Sequence, residues 1–128
     1  MSYYINTELN CSFSEAVEKI KEKLKDQGFG VISEINMKST LKEKIDEDIS
    51  EYLILGACNP KYAFHALQTE DKIGLMLTCN VIVREGDNGK IEVAAIDPIE
   101  AMNPVGNDSL GEMAQEVRDK LELAIRNL

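Results

Sequence analysis

Two short steps in this sequence set a thiol beside an amide. Cys58-Asn59 follows the apolar stretch YLILGA, and Cys79-Asn80 sits inside GLMLTCNVIV, twenty-one positions later. A cysteine can serve as a nucleophile or a soft metal ligand, and a neutral amide supplies both donors and an acceptor. Asn59 precedes Pro60, a pairing that predicts a helix start with Asn59 as N-cap and Pro60 in the first turn. Cys58 then stands one residue ahead of a helix N-cap, where unpaired N–H groups and the helix dipole favour negative charge. A thiol in that place gains thiolate character, and the same corner can receive a carboxylate or phosphate. The candidate ligand-binding site is therefore Cys58, Asn59 and the N–H groups of Lys61 and Tyr62, with Cys79 and Asn80. A plainer reading stands beside it. Free cysteine is often a small apolar core residue, and the spacing of Cys58 and Cys79 matches no zinc or redox motif. Asn59 is a cap under either reading. Asn80, inside an apolar strand, is expected to be a buried amide in need of partners, or to face the site.

Other chemistry-bearing residues are weaker. His65 is the single histidine. Lys61, His65, Gln68 and Lys72 share the polar face of the predicted helix, so His65 is expected to point to solvent and not to serve Cys58 as a base. Cys11 lies at a strand-to-helix junction. Asp46-Glu47-Asp48 lacks the glycine and the later glutamate of a calcium loop and reads as a solvated acidic turn. No glycine-rich phosphate loop, HExxH or nucleophile elbow is present. The residues name no catalytic group, no cofactor and no definite metal.

The elements that must position these residues can be read along the chain. Tyr3–Leu9 predicts a first strand. Ser12 with Glu15 has capping-box form, and Phe13, Val17, Ile20 and Leu24 recur at helical spacing until Gly28 stops the helix in a left-handed conformation. Residues 29–37 alternate as a strand, with Phe29, Val31, Ile35 and Met37 on one side and Ser33 the polar exception among them. Leu41, Ile45 and Ile49 suggest a short helix or irregular turn over 38–50. Residues 52–57 form a strand apolar on both faces, 60–71 a helix, and 74–83 a second buried strand. Asp87-Asn88-Gly89-Lys90 marks a hairpin into a strand ending at Asp97-Pro98. Residues 98–108 read as a loop. Ser109 with Glu112 is expected to cap a final helix whose stripe is Leu110, Met113, Val117, Leu121 and Leu128. The short loops around helix 60–71 predict that strands 52–57 and 73–83 run parallel, with Cys58 and Cys79 at similar depth.

The totals bound the function classes. At 128 residues the chain is one domain, residues 1–128, able to bury a core without staples. Its 29% charged and 44% hydrophobic composition is that of a globular protein. No apolar run approaches the roughly 20 residues of a membrane helix. The opening MSYYINTELN has neither a basic start nor an apolar block, so no secretory signal is expected there. Three cysteines without a CxxC spacing predict free thiols and a reducing, cytoplasmic location. A net charge of −9 argues against nucleic acid as a partner, since phosphates are held by Lys and Arg. The hairpin makes part of the sheet antiparallel, so the fold class is α+β, in the order β-α-β-β-α-β-β-α.

Gly56-Ala57-Cys58-Asn59-Pro60, then Ala63, Ala66 and Leu67, then Gly74-Leu75-Met76-Leu77-Thr78-Cys79-Asn80-Val81, resembles the family catalogued as domain of unknown function number 302. Gly28-Phe29, Leu41, Lys44, Asp97 and Pro98 extend the resemblance over nearly the whole chain. Thr78 departs from the proline common there, and Asn36 from the aspartate. The resemblance implies a curved, antiparallel-rich sheet packed on helices, shaped like one half of the TATA-box-binding protein, and it implies dimers. It brings no activity with it, and shape alone does not import DNA binding.

Three functions follow as alternatives. The first is a small cytosolic binding module taking an anionic or thiol-reactive ligand, or a soft metal, near the paired Cys-Asn steps. The second is a redox or sulfur-transfer enzyme with Cys58 attacking and Cys79 resolving. The third is a structural or interaction protein that dimerises through a helix stripe or sheet edge.

Overall fold

A computed structural model describes residues 2–128. Five strands form one sheet in the order β1-β5-β4-β3-β2: β1 Tyr4–Leu9, β2 Gly30–Asn36, β3 Tyr52–Cys58, β4 Cys79–Glu85 and β5 Ile91–Ile96. Every neighbouring pair is antiparallel. The helices are α1 Phe13–Asp26, α2 Met37–Ile45, α3 Pro60–Thr69, α4 Pro98–Met102 and α5 Gly111–Arg126. The α+β class and the element order agree with the sequence.

One face of the sheet carries the core. Strand alternation sends Leu53, Leu55 and Ala57 of β3, Val81 and Val83 of β4, and Val93 and Ala95 of β5 to that face, and all are buried. Ala16, Val17, Ile20 and Leu24 of α1 meet them, as do Met113, Val117, Leu121 and Ile125 of α5. The α5 stripe is thus used inside the domain and is not left for a partner. Fully burying a side chain of this size contributes roughly 1.5–3 kcal/mol, so this layer dominates stability.

Local signals explain the helix ends. Ser12 Oγ accepts from the Glu15 N–H at 3.1 Å, as the capping box requires. Gly28 has φ +86°, the left-handed stop. Asn36 Oδ1 accepts from the Ser39 N–H at 3.1 Å and so caps α2, which gives this asparagine a structural task. Asp46, at φ 56°, ends α2. Lys42 pairs with Asp46 and Asp48 on the exposed acidic turn.

Five expectations are corrected. β3 and β4 run antiparallel, with Ala57 opposite Cys79. Helix α3 does not lie back along β3. It packs beside 3-10 turns at Ile73–Met76 and Asp108–Leu110, and the chain re-enters the sheet at the end where β3 left it. Residues 73–76 are accordingly a 3-10 turn anchored by buried Ile73, not the start of a strand. The alternation over 29–37 is interrupted by a bulge between Val31 and Ser33. Beyond it Ile35 pairs with Ile54 on the open face, and Ile32 is 65% exposed. The loop over 98–108 contains α4, capped by Asp97, whose Oδ1 accepts from the Ile99 N–H at 2.9 Å. Ser109 does not cap α5. Asn107 instead caps the preceding 3-10 turn by accepting from the Ser109 N–H.

Candidate functional site

Asn59 leaves β3 at the corner where α1 ends and α3 begins. It does not cap α3, since its side chain accepts no helical N–H. Instead its Nδ2 donates to the Gln27 carbonyl at 3.4 Å. A Cβ placed on Gly28 would lie 3.2 Å from that nitrogen, so glycine here answers both to the left-handed φ and to the approach of Asn59. The first-turn amides of α3 have no side-chain cap.

Two spaces meet at Asn59. The larger is an open cleft of about 870 Å³ between the end of α1, the first turns of α3 and the outer side of α5. Its polar lining is Asp26 from α1, Lys61 and His65 from α3, and Glu112, Glu116 and Lys120 from α5. The smaller is an apolar cavity of about 40 Å³ beneath α3, walled by Phe29, Ala57, Ala66, Leu77, Cys79 and Val117. Asn59, Tyr62 and Met113 border both. Burial and the neighbouring Glu116 carboxylate raise the Tyr62 phenol above its usual pKa.

The four residues singled out in the sequence divide between the two faces of the sheet. Cys79 is buried on the helix side, opposite Ala57. Burial chiefly, and then the nearby Cys58, push its thiol up to about 11. Cys58 follows Ala57 in the strand, so the pleat turns it to the other face, where it is half-buried and pairs with Gly30. Asn80 is exposed on that same open face, opposite Gly56, and so is not the buried amide expected. All three cysteines are free thiols. Among the described residues no group of three or more His, Cys, Asp or Glu is placed to hold a metal ion. His65 is exposed on the cleft wall, as its helical position predicts.

Sequence reasoning missed the cleft's far wall. Glu112, Glu116 and Lys120 repeat at four-residue spacing on the polar side of α5, which alone reads as a solvated face. Only the placement of α3 against that side makes it a wall. A part-buried ion pair was also missed. Arg118 Nε reaches Asp97 Oδ2 at 3.0 Å and Nη1 reaches Glu122 at 3.2 Å, which ties α4 to α5. The Asp97 hydrogen bond chiefly raises the Arg118 pKa.

No curated protein matches the chain. Among solved structures it is similar to the crystal structure of an uncharacterized conserved protein DUF302 from Bacillus stearothermophilus, at 23% identity, a TM-score of 0.91 and 98% coverage of both chains. That likeness shows the fold. Among the described residues no helix is long and apolar enough to cross a membrane. The family described as "Domain of unknown function DUF302" matches residues 5–128, so the chain belongs to that family.

Proposed function

We propose that this protein is a small binding module whose ligand carries a polar or anionic head and a short apolar branch. The head occupies the cleft and the branch enters the cavity beneath α3. The observation that carries this reading is that Asn59 borders both spaces. The head meets the uncapped first turn of α3 and Lys61, groups that favour negative charge. A cavity of about 40 Å³ suits a short branched alkyl group and not a ring.

Of the earlier candidates, Asn59 and Cys79 belong to this site, Cys79 as an apolar wall. Cys58 and Asn80 lie on the opposite face. Cys79, the resolving thiol of the redox alternative, has a pKa of about 11 and is almost wholly protonated at neutral pH, which supports binding over that chemistry. Cysteines turned to opposite faces support an organic ligand over a soft metal shared between them. Free thiols favour a reducing, cytoplasmic setting. A homodimer fits the same protein if a second copy covers apolar side chains left exposed on β2, Ile32 and Ile35.

The test is titration of the ¹⁵N-labelled protein with isovalerate and, separately, acetate. Isovalerate is expected to shift the amides of Asn59, Tyr62, Ala66 and Cys79 and to bind at least fivefold more tightly than acetate. Equal binding of the two, or shifts confined to other regions, would refute the reading.

A further inference from the structure

The sheet face away from α1 and α5 carries a second groove. Strand register arranges it in rows. Tyr4 pairs with Ile96, then Asn6, Ala94 and Ile82 lie side by side, then Glu8, Glu92, Arg84 and Tyr52. A groove of about 510 Å³ runs across these rows. Three of the chain's four tyrosines, Tyr3, Tyr4 and Tyr52, line it. Tyr3 and Tyr4 pack edge to face, with ring centroids 5.1 Å apart. The floor is apolar, and Ala94, small and 8% exposed, leaves a depression beside Ile82.

Among the described residues Arg84 is the one cationic side chain lining this groove, and it is held in place. Its Nε donates to Glu92 Oε1 at 2.6 Å, and Asn6 Nδ2 donates to the other Glu92 oxygen at 2.7 Å. Both carboxylate oxygens are thereby engaged. The Asn6 bond first, and the Arg84 bond after it, keep the carboxyl below its usual pKa. The described hydrogen bonds of Arg84 use Nε alone, so the two terminal nitrogens remain as a fixed pair of donors. Asn80, exposed four residues earlier on the same strand face, adds an amide at the groove's other end. Four residues of strand span about 13 Å, the length of a two-ring molecule with a polar group at each end.

We propose that this groove binds a planar aromatic carboxylate. The ring lies on the Ala94 and Ile82 floor against the tyrosines, and the carboxylate takes two hydrogen bonds from the Arg84 fork. The chemistry selects this class. Tyrosine walls favour a flat π-system, and an oriented guanidinium favours a planar carboxylate over a point anion. The site is independent of the cleft at Asn59, since the sheet separates the two.

The probe is 2-naphthoate, titrated into the ¹⁵N-labelled full chain, with 2-naphthamide and cyclohexanecarboxylate as controls. The expected result is shifts at Asn80, Ile82, Arg84 and Ala94, and at least tenfold weaker binding for either control. Arg84→Met should lose at least tenfold in naphthoate affinity, and Arg84→Lys should recover only part of it. Circular dichroism and the unshifted core amides report whether each variant is folded. If Arg84→Met fails to fold, Arg84→Lys and the 2-naphthamide control still decide the role of the fork. Shifts confined to the Asn59 cleft, equal binding of acid and amide, or sedimentation showing the groove covered by a second copy that naphthoate cannot displace would each overturn the proposal.

Discussion

Asn59 donates its side-chain amide to the Gln27 carbonyl, and so closes the corner between the end of α1 and the start of α3. The residue that sequence marks as a helix cap is used instead as a clasp between two elements 32 positions apart. That clasp fixes the edge of the cleft and the mouth of the cavity together, which is why the proposed site turns on it.

Asn59→Ala should destabilise the fold by about 1 kcal/mol, the usual net value of one hydrogen bond. Asn59→Asp should be no better. It exchanges a donor for an acceptor facing the Gln27 carbonyl, and the favourable charge at the start of α3 offsets only part of that loss. Urea denaturation distinguishes this from capping, because a cap would be preserved by aspartate and leave Asn59→Asp near wild type.

Gly28→Ala should cost about 1–2 kcal/mol, since a left-handed φ penalises any Cβ. The added methyl also presses on Asn59 Nδ2. In the Asn59→Ala background part of that cost should disappear, leaving the backbone share. A thermal-melt double-mutant cycle measures the coupling.

Asp97→Ala should cost about 2–4 kcal/mol, because it removes the α4 cap and strips a part-buried Arg118 of its main partner. Asp97→Asn keeps an acceptor for the Ile99 N–H and should cost about half as much. Chemical denaturation of the two variants, side by side, separates cap from ion pair.

Cys79 should be the last of the three thiols to alkylate at neutral pH, and its rate should climb about tenfold per pH unit until pH about 11. Stability carries the same signature. Its folded pKa is raised from 9.0 to about 11, so the native state binds the proton more tightly than the unfolded chain. The contribution is complete below pH 9 and is lost as pH rises to 11, by up to roughly 2–3 kcal/mol. Cys79→Ala should remove that part of the alkaline loss, as read from denaturant midpoints at pH 8, 9, 10 and 11.

How much of this was legible depended on whether a local signal had one physical solution. Ser12 with Glu15, and Gly28 after an amphipathic run, each admit one, and both helix ends stand where they were expected. Gly74-Leu75-Met76-Leu77 admits two. An apolar run of this length serves a strand or a turn pinned by one buried side chain, and Ile73 makes it the turn. The β2 bulge left a trace, since Ser33 was the polar misfit in its row. Ser33 Oγ occupies the space where a Cβ on Gly56 would stand, a cross-strand fit between residues far apart in sequence. The parallel arrangement expected of β3 and β4 rested on the short loops around helix 60–71. Direction depends on where α3 packs, and that is decided in part by α5 and the 3-10 turn at Asp108–Leu110, elements more than thirty residues downstream. For the same reason the Asn59 corner was legible as a place, while its cleft and cavity were not.

The central claim is that cleft and cavity form one site joined at Asn59. The most direct measurement is of intermolecular nuclear Overhauser effects between isovalerate and the ¹³C-labelled protein. The account predicts contacts from the isovalerate methyls to the Ala66 methyl and the Cys79 β-protons, with a shift of the Asn59 side-chain amide in the same complex. Contacts limited to exposed cleft residues such as Lys61 and Glu112, with Cys79 and Ala66 silent, would contradict it.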